Sequence, residues 1–411
     1  MKRCISPLIA VTLGVVVWMP TNSWAQVNSG SNGSDGVLNP TTSININMGD
    51  HPNGIYQYTS VNIPSGVTVT FIPNSNNSPV TWLVQNSCII SGEVWLLGQP
   101  GQGAQVNNNT QGGQGGPGGW SGGNGGVAVT SGQGPGGGLA GTANEGFGAN
   151  ASYGTLGAIN DGGISSGPTY GNIYLIPLIG GSGGGGSTID IYYGVGGGGG
   201  GGAILIAASG SIQVNGAVRA NGGSSGGSHG NNGSPAGGGS GGAIRLVASQ
   251  ITGSGWIFTD AGRGSGNYGN GANAGQGRVR FDSYQNSFSG QISGLFSQGS
   301  QFVIVPSAGQ LPQLTVTSVG GVPVSASPTG AISTPDAVVS AQQGNPIPIV
   351  VSCANLPMNT QITVSVKPMN GSPVSAMGYN TTGTAASSTA TISINMPRGG
   401  GLIYATAATT P

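Results

Sequence analysis

Glycine dominates this sequence and limits what the chain can fold into. It occupies 85 of the 411 positions, about three times its usual share of ~7%. The density is highest at 101–202, where a three-residue period runs from Gly113 to Gly125. Because glycine has no Cβ, chains with this period can pack backbone against backbone as polyproline-II-type helices. The stretch predicts either a packed polyglycine-II bundle or a flexible linker, and its interleaved Trp, Tyr and Ile residues favour packing.

Short repeats lie on both sides of this stretch and beyond it. The sequence Gly-Gly-Ala-Ile occurs at 201–204 and again at 241–244. Five corners combine Ser or Asn, then Gly, any residue and a β-branched residue; they start at Ser65, Ser91, Asn215, Ser254 and Ser289. A strand–corner–strand unit of this size cannot bury its apolar face alone, so we expect the units to stack on one another. Stacking would align Glu93, Ala217 and Trp256 in one column.

The repeats predict an all-β fold, a short right-handed parallel β-helix that carries the Gly-rich stretch 101–202 as a long insertion. After Leu311 the composition changes, with less glycine and more Val, Thr, Ser and Pro. Alternating apolar and polar residues there predict a small β-sandwich of the immunoglobulin-like type. The expected organisation is a signal peptide at 1–25, a flexible leader at 26–42, the β-helix domain at 43–306 and the sandwich at 312–411.

Charged residues are very scarce in this chain. Lys and Arg total 9 and Asp and Glu total 9, which is only 4% of the residues, against about 25% in an average soluble domain. A nucleic-acid-binding surface needs clustered basic residues, and nine scattered cations cannot provide one. The shortage of Asp, Glu, His, Lys and Cys also leaves little material for acid–base or metal chemistry. We therefore expect no enzyme, no metal site and no cofactor.

The first 25 residues have the three regions of a secretory signal peptide. Lys2 and Arg3 precede an apolar stretch at 8–17, and small residues lead up to Ala25. The apolar stretch is too short to be a membrane-spanning helix. We therefore expect cleavage after Ala25 and a protein that is secreted or held at the outer cell surface, without a transmembrane segment.

Two cysteines follow the predicted signal peptide, Cys88 and Cys353. In an oxidising compartment they could form a disulfide, although they lie in different predicted domains. The alternative is that each is a small, buried apolar side chain.

A β-helix invites comparison with polysaccharide lyases and hydrolases, which need clustered carboxylates. The acidic residues of this chain are well separated, but stacking could bring Glu93 near Asp260, with Arg219 or Arg263 close by. The column that contains Glu93 otherwise holds a methyl group and an indole, so it does not form a carboxylate pair. His51 and His229 are too few for a metal cluster and are expected in exposed loops.

Aromatic residues are the best candidates for ligand contact. Several of them on one outer face would form a stacking surface for sugars or an apolar contact for another macromolecule. Trp82 lies in an apolar strand and is expected in the core. Each of the other candidates either contacts a ligand or covers an end of the core, and the sequence does not decide between the two. The candidate contact residues are Trp95, Trp120, Trp256, Tyr192, Tyr193 and Tyr268.

Through the Gly-Gly-Ala-Ile repeats, the Ser/Asn-Gly corners and the glycine triplets, residues 59–294 resemble the glycine-rich, β-helical surface proteins and adhesins secreted by bacteria. The resemblance implies an extracellular structural or adhesive role, with the C-terminal sandwich as a spacer, anchor or partner-binding module, and it implies no catalytic residues. The expected partners are surface polysaccharides or other envelope proteins, and the low charge would also permit self-association. Two other functions stay open, a polysaccharide-active β-helix enzyme and an ice-binding protein with a regular Thr or Gly face.

Overall fold

The structure of the protein, a computed structural model, has almost no regular secondary structure other than β-strands, which hold about 40% of the residues against about 1% in helix. The predicted signal peptide lies outside the described residues. The structure describes residues 27–106, 109–141, 146–159, 166–188, 193–227, 235–265, 272–302, 312–325, 328, 335–369 and 372–407.

The largest element is an eight-stranded sheet in which all neighbouring strands are parallel. Numbered in chain order over the whole molecule, its strands are β1 (Gly36–Leu38), β3 (Ile55–Ile63), β5 (Val80–Val84), β6 (Cys88–Ile90), β10 (Ala203–Val214), β12 (Ala243–Gly253), β14 (Arg278–Phe288) and β16 (Leu295–Gly299). The two Gly-Gly-Ala-Ile repeats begin β10 and β12, which pair in register from Ala203 and Ala243 onward.

A second parallel sheet faces the first and has six short strands. They are β2 (Ile44–Asn47), β4 (Thr68–Ile72), β7 (Glu93–Trp95), β11 (Ala217–Arg219), β13 (Trp256–Phe258) and β15 (Gln291–Ser293). A single turn of 3-10 helix, Met48–Asp50, follows β2. The chain alternates between the two sheets because each Ser/Asn-Gly corner turns it from a strand of the larger sheet into a strand of the smaller one.

One apolar core fills the space between the two parallel sheets. It includes Trp82 and Ile206 of the larger sheet and Val94, Val218 and Ile257 of the smaller one, all fully buried. Trp82 is thus a core residue, as predicted. The opposite face of the larger sheet is also covered, by a smaller apolar cluster that includes the N-terminal Val27. Coverage of both faces is typical of all-parallel sheets.

The predicted β-helix with one long insertion is wrong as a description of this fold. The strands form several separate sheets, and the two parallel ones resemble the sheets of α/β proteins more than a simple solenoid. The physical reason lies in the glycine-rich segments. They do not form a single insertion at 101–202, since segments at 221–227, 235–242, 259–265 and 272–277 pack into the same layer. Backbone packing between distant segments, which leaves no periodic side-chain pattern, therefore organises this part of the molecule.

This glycine layer is held together by backbone hydrogen bonds between segments that are far apart in sequence. The N–H of Gly184 donates to the carbonyl of Gly198, and the N–H of Gly198 donates to the carbonyl of Gly237, both at 2.9 Å. A Cβ at Gly198 would lie 1.9 Å from the carbonyl oxygen of Gly223, closer than any real contact. The described part of the stretch is therefore packed and is not a free linker. It also contains one small antiparallel pair, β8 (Gln105–Val106) with β9 (Tyr193–Gly194).

The described residues between 313 and 407 form two antiparallel sheets that share a second apolar core. The five-stranded sheet contains β17 (Gln313–Val319), β18 (Val322–Pro323), β19 (Ile347–Ala354), β22 (Thr382–Gly383) and β23 (Ser387–Ile394). The three-stranded sheet contains β20 (Gln361–Pro368), β21 (Val374–Tyr379) and β24 (Gly401–Ala407). Strict alternation of buried and exposed residues along β23 shows the period of two that a strand with one solvent-facing side requires.

Two side chains of the three-stranded sheet contact the glycine layer in the described structure. The buried Nζ of Lys367 donates hydrogen bonds to the backbone carbonyls of Gly132 at 3.1 Å, Gly138 at 3.3 Å and Gly137. The hydroxyl of Tyr404 accepts a hydrogen bond from the N–H of Gly134 at 2.9 Å. Because no side chain stands between them, the glycine carbonyls are directly accessible to an ammonium group, and they bind it in place of an acidic partner.

Candidate functional site

The outer face of the smaller parallel sheet carries an ordered set of large side chains. Along β7, β11 and β13 the central residue points into the core, so its two neighbours point outward. The register places Ala217 between Glu93 and Trp256, as predicted from the corners. A second row, two residues further along, places Arg219 between Trp95 and Phe258. We call the set Glu93, Trp95, Arg219, Trp256 and Phe258 the aromatic face.

Two rings of this face, those of Trp256 and Phe258, are nearly parallel; the two tryptophans of the face are exposed and Phe258 is half-buried. Trp256 and Phe258 stack with 6.1 Å between ring centroids and 8° between planes, because positions i and i+2 of a strand point to the same side. The guanidinium carbon of Arg219 lies 5.5 Å from the Trp256 ring centroid and 5.2 Å from that of Phe258, within cation–π range. Trp256 is 46% exposed and Trp95 is 37% exposed. The face thus offers flat apolar surface that is held at a defined orientation.

Glu93 links the two rows of the aromatic face. Its carboxylate accepts a hydrogen bond from Nε of Arg219 at 3.3 Å and another from Nε1 of Trp95. Both contacts restrict the rotamers of long side chains that would otherwise move freely, which reduces the entropy that a ligand must overcome on binding. The pairing also leaves the aromatic face close to neutral, since one carboxylate accompanies one guanidinium.

A groove of about 490 Å³ adjoins the aromatic face. It is lined by four of the five Ser/Asn-Gly corners, at 65–68, 91–93, 215–217 and 254–256. A Cβ at Gly216 would lie 1.9 Å from the carbonyl oxygen of Gly92, the corner glycine of the preceding strand. The floor of this corner groove is therefore close-packed backbone, and Trp256 belongs to both the groove and the aromatic face.

The other predicted contact residues do not join this site in the described structure. Trp120 is half-buried in the glycine layer, where its ring meets that of Tyr170 edge-on at 6.1 Å. Tyr192 and Tyr268 lie outside the described residues, as does the side chain of Tyr193. The sequence indicates Arg219 only as a neighbour of Glu93 and Asp260 and does not single out Phe258. The available signal was their position two residues after the x of each corner.

The carboxylates of the described residues do not converge. Glu93 and Asp260 share the outer face, but they stand two strands and four residues apart, on the order of 16 Å between Cα atoms for ordinary sheet spacings. Glycosidase pairs are separated by at most ~10 Å. Asp282 is fully buried between Arg245 at 3.0 Å and Arg280 at 2.7 Å. His51 pairs with Asp35 at 3.1 Å, while His229 lies outside the described residues. Within the described chain, three or more potential metal ligands do not cluster anywhere.

The two cysteines considered for a disulfide are free thiols in separate cores. Cys88 belongs to the core between the parallel sheets and Cys353 to the core of the antiparallel sheets. Burial raises the pKa of the Cys88 thiol to about 12, so this residue is a small apolar side chain at neutral pH. The Cys88–Cys353 bond is therefore absent from the structure, and the alternative of two buried side chains describes it.

Comparison of the chain with protein-family models, curated proteins and solved structures finds no match. Among the described residues, helices of the length and apolarity that membrane crossing requires are absent. The aromatic face and the corner groove therefore have to be interpreted from their own geometry.

Proposed function

We propose that this chain is a non-enzymatic, carbohydrate-binding protein of the cell exterior, with the aromatic face as its binding site. The observation that carries the proposal is the parallel pair of the exposed Trp256 and the half-buried Phe258, fixed on a sheet beside Arg219. Flat rings with nearby hydrogen-bonding groups suit sugar rings, which present C–H groups on their faces and hydroxyls at their edges.

The remaining features of the chain support the same proposal. The signal-peptide pattern at 1–25 favours export, and the low charge of 4% favours contact with uncharged chains. Two observations support a binding role over a catalytic one. Glu93 and Asp260 are widely separated, and the Glu93 carboxylate is already hydrogen-bonded to Arg219 and Trp95. A rigid scaffold with a fixed surface is also typical of adhesive and matrix proteins.

The proposal is tested by measuring binding of the purified protein to a panel of neutral and acidic polysaccharides. We expect Trp256→Ala to weaken binding about 10- to 100-fold, since a stacked aromatic side chain contributes about 2 kcal/mol through buried area and ring contact. Trp95→Ala should weaken it less, because Trp95 stands two strands away from the stacked pair, on the other side of Arg219. Tyr379→Ala is the matched control, an aromatic residue 54% exposed on β21, and should bind like the wild type.

Two results would contradict the proposal. If the wild type binds none of the polysaccharides at millimolar concentrations, or if Trp256→Ala binds as well as Tyr379→Ala, the aromatic face is not a carbohydrate site. Release of shortened sugar chains by the wild type, lost in Glu93→Gln or Asp260→Asn, would instead favour the polysaccharide-active enzyme.

A further inference from the structure

The corner groove runs across the strands and not along one of them. Its lining comes from the corners that precede β4, β7, β11 and β13, which are successive neighbours in the smaller sheet. Neighbouring parallel strands are about 4.8 Å apart. The groove therefore presents the same corner four times at that interval, over a length on the order of 14 Å from the first corner to the last.

Each corner presents an uncharged hydrogen-bonding side chain to the groove. These side chains are Ser65, Ser91, Asn215 and Ser254, and among the described residues none of them uses its side chain for a hydrogen bond. Ser65, Asn215 and Ser254 are exposed. Hydroxyl and amide groups can donate and accept, which suits a ligand rich in hydroxyl groups.

The ends and walls of the groove limit the charge of the ligand. Trp256 closes one end with an exposed indole, and Glu93 is the one ionisable side chain of the groove lining. The lining offers no cation to an anionic sugar chain, because Arg219, which pairs with Glu93, stands in the next row, outside the lining. A chain that carries a carboxylate on each sugar would therefore be disfavoured relative to an uncharged chain.

From this geometry we infer, on the basis of the carbohydrate binding proposed above, that the corner groove binds an extended, neutral polysaccharide that lies across the strands with one sugar unit over each corner. The strand interval is close to the length of one pyranose unit in an extended chain. The last unit stacks on Trp256, and the preceding units contact Asn215, Ser91 and Ser65 in turn. The repeated corners thus build the fold and also form a series of equivalent subsites.

Isothermal titration with a neutral β-linked glucan series, from disaccharide to hexasaccharide, tests this inference. We expect the affinity to rise with each unit up to about four and then to level off, because the groove offers four corners. Replacing single corner side chains should have effects that depend on ligand length. Ser254→Ala should weaken all members about 2- to 10-fold, the usual range for one neutral hydrogen bond. Ser65→Ala should weaken only the tetrasaccharide and longer members.

The remaining outcomes separate this inference from the proposed function. If the disaccharide and the hexasaccharide bind the wild type equally well while Trp256→Ala abolishes binding, the groove does not bind one sugar unit at each corner, although the aromatic face still binds sugar. Equal effects of Ser65→Ala on all lengths would overturn the order of the subsites. If a uronate series of the same lengths binds more tightly than the neutral series, the neutral ligand is wrong. Failure of every series to bind would overturn the proposed function as well.

Discussion

The molecule contains two regions that are ordered in opposite ways. Between the parallel sheets, side chains such as Ile206, Trp82 and Val218 fill a conventional apolar core. In the glycine layer almost no side chain intervenes, and backbone N–H and C=O groups pair directly across segments. The comparison shows that a chain can bury its backbone in two ways, by covering hydrogen-bonded sheets with apolar side chains or by removing side chains until the backbones themselves pack.

The two regions should therefore respond differently to small changes in volume. An apolar core loses stability in proportion to the atoms removed, because neighbouring side chains relax partly into the space. The glycine layer has no side chains that can move aside, so an added methyl group must displace backbone that is hydrogen-bonded on both sides.

The largest effect is expected for Gly198→Ala in the glycine layer. Its new Cβ would lie 1.9 Å from the carbonyl oxygen of Gly223, and we expect a loss of about 3 kcal/mol or more, or failure to fold. Gly227→Ala is the matched control, because a Cβ there meets no atom within 4 Å. The control should change the stability by less than about 1 kcal/mol. Urea unfolding of both variants measures the difference, and equal midpoints would show that the layer is not close-packed.

An intermediate, pH-dependent effect is expected where Lys367 enters the glycine layer. Burial lowers the pKa of its ammonium to about 7, from 10.5 in an exposed lysine. Because the folded state binds fewer protons than the unfolded state between these values, this group makes the protein more stable as pH rises from about 7 to about 10. Below pH 7 the charged ammonium is buried in the folded state, and its desolvation opposes folding most strongly there.

Lys367→Met tests this expectation, since it keeps most of the side-chain volume and removes the titrating group. Thermal unfolding between pH 6 and pH 9 should show a melting temperature that rises with pH in the wild type and changes less in the variant. The exposed Arg398→Met serves as the control and should keep the wild-type slope. A variant slope as steep as that of the wild type would show that Lys367 is not the group responsible.

The contrast between the two regions also explains what could be predicted from the sequence. The column of Glu93, Ala217 and Trp256 and the buried position of Trp82 were predicted, because corners and apolar strands leave a local pattern. The organisation of the glycine layer was predicted wrongly as one insertion. Its contacts join segments such as 196–202 and 235–242 through backbone atoms alone. Because backbone atoms are the same in every residue, the sequence does not indicate which segments pair.

The candidate site was predicted only in part, for a related reason. Trp95 and Trp256 were recognised because large aromatics are conspicuous, whereas Trp120 was included although it packs in the glycine layer. Arg219 and Phe258 gain their significance from the register of β11 against β13. Only stacked strands bring Arg219 beside Trp256, whereas Phe258 lies two residues after Trp256 on the same strand and is predictable from that spacing.

The smallest of these effects, and the one that sharpens the comparison most, is expected for Ile206→Val in the core between the parallel sheets. Ile206 is fully buried between Trp82 and Leu246 on the neighbouring strands. Removal of one methylene group should cost about 1 kcal/mol, and Ile206→Ala about 3 kcal/mol. Urea unfolding measures this graded loss of stability. It contrasts with the loss expected at Gly198, where the addition of a single carbon should destabilise the protein more than Ile206→Val does. If Ile206→Val lowered the free energy of unfolding as much as Gly198→Ala, the two regions would tolerate small changes in side-chain volume equally well. Side-chain packing and backbone packing would then not differ in their response to substitution.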